Sequence, residues 1–236
     1  MEKILKEKLE KLKNNIKKLE SVAIAFSGGV DSTFLLQAAY EVLGENVLAL
    51  TIRSAAFPER ETKESQDFCK ARGIRQVVLD FDPLDLEEFV KNPKDRCYHC
   101  KRQLFLKITA AAREQGILYV AEGSNMDDLG DYRPGLMAVK EMGILSPLRE
   151  AGLYKSEIRF LLKEMGIPAW EKPSYACLAS RFVYGEEITL EKLKRVELGE
   201  EFLREQGFLQ MRVRVHGDMA RIEVLPEDFG RFLDEK

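Results

Sequence analysis

Short apolar runs alternate with longer amphipathic stretches along the first two thirds of the chain. Residues 22–26, 47–52, 76–80, 118–122 and 144–148 have the length and composition of strands. Segments 32–43, 59–71, 101–115 and 155–165 place apolar side chains at helical spacing. Helices that alternate regularly with strands predict parallel strands joined by crossovers, hence an α/β fold. An N-terminal helix is predicted ahead of the first strand, because Ile4, Leu5, Leu9, Leu12, Ile16 and Leu19 line one stripe among lysines. The pattern changes after Gly166-Ile167-Pro168. An irregular stretch with two prolines, the sole tryptophan and a cysteine leads to a helix over 190–205 and two alternating strands over 211–216 and 220–225. The expected organisation is an N-terminal helix (1–20), an α/β domain (21–168), and a cysteine-bearing loop with a small α+β C-terminal subdomain (169–236).

Within this framework the first strand stops at Ser27-Gly28-Gly29-Val30-Asp31-Ser32, and a helix follows at once. A strand, a glycine turn and a helix N-terminus together leave backbone N–H groups unpaired and pointing at a common spot, which suits an anion. Ser27 and Ser32 add hydroxyl donors, and Asp31 can anchor a cation or the loop itself. The loop is built for phosphate, yet it lacks the lysine of the GxxxxGK[ST] loop. In parallel sheets ligands sit beyond the carboxyl ends of the strands. The loop, the turn Glu122-Gly123-Ser124-Asn125-Met126-Asp127-Asp128 and the segment Ser146-Pro147-Leu148 should therefore face one cleft. The expected phosphate site comprises Ser27, Gly28, Gly29, Val30, Asp31 and Ser32 with Thr51, Arg53 and Gly123. Glu122, Asp127 and Asp128 are candidates for Mg2+, which would offset phosphate charge; capping of a following helix by Ser124 or Asn125 is an equally simple role for that turn. Arg133, just beyond, could meet an anionic group.

Composition narrows the class. The chain has 236 residues, 45% apolar and 33% charged, with a net charge of −3. That describes a soluble globular protein, expected to be cytoplasmic, with no membrane partner and without the basic surface usual for nucleic-acid binding. Four cysteines in such a chain suggest metal or redox chemistry more than a disulfide framework. Cys97 and Cys100 form a CxxC, and Cys177 lies in the irregular loop. A redox dithiol, a zinc site short of one ligand, and an iron–sulfur cluster on three thiolates all fit that pattern. Cys69, inside a predicted helix, reads as a small buried hydrophobe. Ser180 and Arg181 follow Cys177 closely and are candidates for substrate contact. Arg212 and Arg214 share one face of their strand, where paired guanidinium groups suit a phosphate or carboxylate.

SGGVDS resembles the loop of the PP-loop ATP pyrophosphatases. Together with EGSNMDD and DYRPG, SPLREAGLYKSEIR and above all KPSYACLASR, it makes the chain similar to the LarE family of ATP-dependent sulfur transferases, from about residue 21 to 225. The resemblance implies an adenine nucleotide alpha hydrolase-like sheet. It implies that ATP adenylylates a carboxylate of pyridinium-3,5-biscarboxylic acid mononucleotide, a precursor of the nickel-pincer cofactor, whose oxygen sulfur then replaces. It further implies a homo-oligomer, often a hexamer. One branch of the family has a single cysteine, which gives up its sulfur. The other holds a [4Fe–4S] cluster on three cysteines and uses sulfide or another sulfur donor, and Cys97, Cys100 and Cys177 match that branch. By the same resemblance Arg212 and Arg214 hold the substrate phosphate; the expected catalytic set is Cys97, Cys100 and Cys177 with the neighbouring Ser180 and Arg181. A tRNA thiolase combining this loop with a three-cysteine cluster, an ammonia-using amide ligase, and a nucleotide-binding regulatory domain with structural zinc are the rival readings.

Overall fold

The computed structural model describes residues 2–130, 134–174 and 176–232. In chain order the elements are α1 (Glu2–Lys17), β1 (Val22–Ala25), α2 (Val30–Leu43), β2 (Val47–Arg53), α3 (Glu59–Arg72), β3 (Arg75–Asp80), α4 (Glu87–Val90) and α5 (Arg96–Glu114). They continue with β4 (Val120–Ala121), α6 (Gly135–Glu141), α7 (Pro147–Glu150), α8 (Lys155–Glu164), α9 (Leu190–Glu205), β5 (Met211–His216) and β6 (Met219–Val224). Two compact units result: Met1–Arg53, Glu59–Phe81 and Cys97–Lys172 in the first, and Ser54–Pro58, Asp82–Arg96 and Pro173–Lys236 in the second.

The first unit is built on a parallel sheet of order β3-β2-β1-β4. Successive side chains of a strand point to opposite faces, and the core divides accordingly. Val22, Ile24, Phe26, Val47 and Ala49 pack with Leu12 and Ile16 of α1, Phe34 and Leu35 of α2, and Ile158 and Leu162 of α8. Ala23, Leu48 and Leu50 face the other way, onto Phe105, Ile108 and Ala112 of α5 and Val139 of α6. Strands buried on both faces read as unbroken apolar runs rather than alternating ones, which is why 22–26 and 47–52 stand out in the sequence.

Two expected strands are curtailed. The fourth keeps only Val120 and Ala121, and Leu118 and Tyr119 are exposed. The fifth is reduced to a parallel bridge between Leu145 and Ala121, because Pro147 has no N–H for a ladder and instead opens α7. α5 begins five residues earlier than the apolar pattern predicts, so Cys97-Tyr98-His99-Cys100 forms its first turn. That turn presents few apolar side chains, so periodicity could not reveal it.

The second unit carries the antiparallel pair β5–β6, with Met211 opposite Val224 and Arg214 opposite Arg221. Met211 packs with Leu203 of α9 and with Phe208, supported by Val213 and Val224. No helix among the described residues is long and apolar enough to cross a membrane.

Candidate functional site

β1 is extended by Phe26, whose N–H donates to the Leu50 carbonyl at 2.9 Å, and the chain then turns through Ser27-Gly28-Gly29 into α2. Gly28 has φ +75, a left-handed conformation, and a Cβ there would lie 3.4 Å from that of Ser65. Gly29 occupies the N-cap position without a capping side chain. The Ser27 and Ser32 hydroxyls lie 3.1 Å apart, and the Ser27 N–H points to the Ser32 Oγ at 3.3 Å. The loop is thus braced from within by its two serines, while the amides of the first turn of a 14-residue helix lack side-chain caps.

The turn after β4 packs directly on this helix end. A Cβ on Gly123 would meet the Ser32 nitrogen at 2.9 Å and the Asp31 carbonyl carbon at 3.2 Å, so only glycine lets the two segments approach. The Asn125 Nδ2 donates to Asp31 at 3.1 Å, and the Lys155 ammonium, from the start of α8, lies 3.3 Å from the other Asp31 oxygen. Burial raises the Asp31 pKa, and Lys155 and Asn125 pull the other way. Glu122 is buried and accepts from the hydroxyls of Ser124 and Ser146, each at 2.7 Å. Asp127 caps α8 by accepting from the Lys155 N–H at 2.7 Å, and Asp128 accepts from the Asn125 N–H at 2.9 Å. The loop, the acidic turn and the segment at Ser146 therefore meet. Among the described residues, however, no three His, Cys, Asp or Glu side chains form a group that could hold a metal ion.

Thr51 is buried behind the loop. Its hydroxyl donates to the Phe26 carbonyl and accepts from Gln76 Nε2, both at 2.8 Å, and Gln76 also donates to Ser65 at 3.1 Å. Arg53 is instead an exposed partner of Asp80, at 2.6 and 2.9 Å. Three contributors escape a reading by local spacing. Asn125 and Lys155 brace Asp31, and the Lys172 ammonium donates to the Gly28 carbonyl at 2.9 Å and pairs with Glu64 at 2.6 Å. All three lie inside motifs already noted in the sequence, EGSNMDD, SPLREAGLYKSEIR and KPSYACLASR, which was the only signal available.

Cys97 and Cys100 sit one turn apart on α5 in the first unit, the former exposed and the latter half-buried, and Cys177 is a half-buried residue of the second unit. Cys69 is buried in the core, where burial pushes its thiol up to about 12. Following Cys177, the short 3-10 helix Leu178–Arg181 is held by a buried ion pair. Arg181 donates from two nitrogens to Glu200 of α9, at 2.6 and 3.1 Å, and from Nη1 to the Ser180 hydroxyl at 2.8 Å. Glu200 also accepts from the Val213 N–H at 3.0 Å. Arg214 bridges the Glu223 carboxylate at 2.8 Å and the Ser180 carbonyl at 3.1 Å, and Arg212 is half-buried on the same strand. Burial opposes ionisation of Glu223, but its hydrogen bonds and charge attraction to Arg214 and Arg221 win, and its pKa falls below the usual value. Arg133 lies outside the described residues.

Residues 1–132 match the model of the PP-loop domain. An uncharacterized protein of Synechocystis sp. is 42% identical over 98% of this chain and 87% of its own length. Pyridinium-3,5-bisthiocarboxylic acid mononucleotide synthase of Lactiplantibacillus plantarum is 36% identical over 92% of this chain and 79% of its own. More distant is a glutamine-hydrolyzing GMP synthase of Aeropyrum pernix, 27% identical over 86% of this chain and 43% of its own. A bare glycine loop on a helix end, a second glycine turn packed against it, and relatedness spanning nearly the whole length agree: the chain belongs to the PP-loop ATP pyrophosphatases and, among them, to the LarE family.

Proposed function

We propose that this ATP-using enzyme transfers sulfur to a carboxylate of pyridinium-3,5-biscarboxylic acid mononucleotide. The observation that carries the reading is the 36% identity to the bisthiocarboxylic acid mononucleotide synthase across both the phosphate loop and the Cys177 segment. A carboxylate resists substitution because its charge is delocalised and oxide is a poor leaving group. Attack of a carboxylate oxygen on the α-phosphorus of ATP forms an acyl-AMP and releases pyrophosphate. Displacement of AMP by a sulfur nucleophile then yields the thiocarboxylate.

The chain's own groups suit the first half. Ser27 to Ser32 hold the pyrophosphate portion through helix-end amides and hydroxyls, with Thr51 and Gly123 keeping the loop in shape. Magnesium takes one or two carboxylates and completes its shell with phosphates and water, so it needs no trio of acids. Glu122 accepts a hydrogen bond at each of its oxygens and Asp127 and Asp128 each accept at one, and a carboxylate oxygen that accepts one bond has a second lone pair for such a role. For the second half, a [4Fe–4S] cluster would take Cys97, Cys100 and Cys177, thiols with no disulfide among them; the first two lie one helical turn apart, and the three do not form a metal-holding group among the described residues. When bound, that group supplies the sulfur nucleophile. Arg212 and Arg214 offer forked donors to the substrate phosphate, with Arg133 as a further cation. Ser180, oriented by Arg181, completes the substrate contacts beside Cys177.

The enzyme acts as a homo-oligomer in the cytoplasm. Exposed Leu198, Phe202, Leu209, Met219 and Phe229 on the second unit suit burial against another copy. Anaerobic protein given ATP, sulfide and the pyridinium nucleotide should release AMP and pyrophosphate and form the thiocarboxylate. Cys177→Ala should abolish thiolation while ATP binding persists. Wild-type thiolation by that variant, or turnover only with tRNA or ammonia, would overturn the reading.

A further inference from the structure

Walker-type loops carry their lysine next to the glycines, and this loop has none there. Yet an ammonium does reach it, from a residue far along the chain. Lys172 Nζ donates to the carbonyl of Gly28 at 2.9 Å and to Glu64 at 2.6 Å. Its main chain is pinned as well. The N–H donates to Ala169 at 3.2 Å and the carbonyl accepts from Arg159 Nη2 at 2.7 Å, while Arg159 also holds the Trp170 carbonyl. An ammonium has three N–H bonds. Gly28 and Glu64 account for two, and the third is available to an anion in the loop. Lys172 is also the last residue of the first unit, and the next residues, from Pro173, lead directly to Cys177.

We propose that Lys172 is the positioning cation of the phosphate loop, and that by holding pyrophosphate it steadies the segment leading to Cys177 when the loop is filled. The inference rests on the reading of Ser27 to Ser32 as the pyrophosphate site, and deepens it. A single side chain that touches the loop at one end and begins the cysteine segment at the other ties nucleotide activation to the sulfur-bearing stretch by one residue. A charge-assisted hydrogen bond is stronger than a neutral one, and loss of one to pyrophosphate should weaken binding about tenfold, or 1.4 kcal/mol.

The test uses the full chain as purified, with magnesium pyrophosphate as the probe, and reads both affinity and hydrogen exchange. Wild type should show slowed exchange at residues 27–33 and at 173–182 when pyrophosphate is added. Lys172→Met should bind about tenfold more weakly. At saturation it should keep the protection at 27–33 and lose that at 173–182, and Lys172→Arg should restore both. Affinity in Lys172→Met within twofold of wild type, or equal protection of 173–182 at saturation, would overturn the proposal. Absence of protection at 27–33 in wild type would overturn the underlying phosphate-loop reading along with it.

Discussion

Glu200 is the acid on which the segment after Cys177 depends. Its side chain and that of Arg181 are 5% and 2% exposed. It joins three pieces of chain at once: the Leu178–Arg181 turn through two N–H donors, α9 that bears it, and β5 through the Val213 amide. Glu200→Ala leaves the Arg181 guanidinium buried without its counter-charge. Breaking a buried pair from one side typically costs about 3–5 kcal/mol. At about 2–4 °C per kcal/mol for a chain of this size, the melting temperature should fall by roughly 6–20 °C. Replacing both partners, Arg181→Met with Glu200→Met, removes the stranded charge together with its partner. What remains is chiefly the Val213 N–H without its acceptor, about 1–3 kcal/mol. The double variant should therefore be more stable than Glu200→Ala, and a mutant cycle should show strong coupling. On the proposed role of Ser180 the double variant should lose thiolation, because Ser180 loses the Arg181 donor that orients it. Thermal unfolding followed by calorimetry, with urea titration as a second measure, reads the stability. A loss below about 1 kcal/mol in Glu200→Ala, the size expected of an exposed pair, or simple additivity in the cycle, would refute the reasoning.

Gly123→Ala places a methyl 2.9 Å from the Ser32 nitrogen, a backbone atom that cannot swing aside. Overpacking of this kind costs about 1–3 kcal/mol, and the displaced helix end should weaken ATP binding measured by calorimetry; unchanged affinity would exclude this close approach as a feature of the site. Asp31 should titrate above the ordinary carboxyl value, because burial disfavours its charged form, and Lys155→Met should raise it further by removing the ammonium that opposes burial. Carboxyl-carbon NMR of metal-free protein reads both. The sign for stability follows: the folded state holds this proton more tightly than the unfolded chain, so Asp31 favours folding most at low pH. That contribution is lost as pH rises from about 4 through the raised value. A titration at or below the ordinary value in wild type would contradict the burial that the structure assigns to Asp31.

Local pattern was enough to locate α9 and β5 to the residue, and to place β1, β2 and the phosphate loop between β1 and α2, because strands buried on both faces are dense in apolar side chains and a glycine pair at a strand end has few other uses. It misjudged the edges. β4 and the stretch at Leu145 carry apolar runs long enough for strands yet are held by a few backbone pairs each, whereas the start of α5 presents few apolar residues and leaves no periodic trace. Candidate residues were legible as types and their connections were not. Arg181 is visible as a cation near Cys177, but its buried partner Glu200 belongs to a helix whose other face is solvated. By itself, then, the order of side chains determined the layered α/β architecture, the glycine loop between β1 and α2, and the family. All of these depend on backbone preferences and short-range spacing. Only tertiary structure decided that Asn125 and Lys155 brace Asp31, that Gly123 touches Ser32, and that Lys172 supplies the ammonium the loop lacks. Those contacts join residues scores of positions apart, and a pairing across such a separation exists only once burial of the sheet's two faces has brought the segments together.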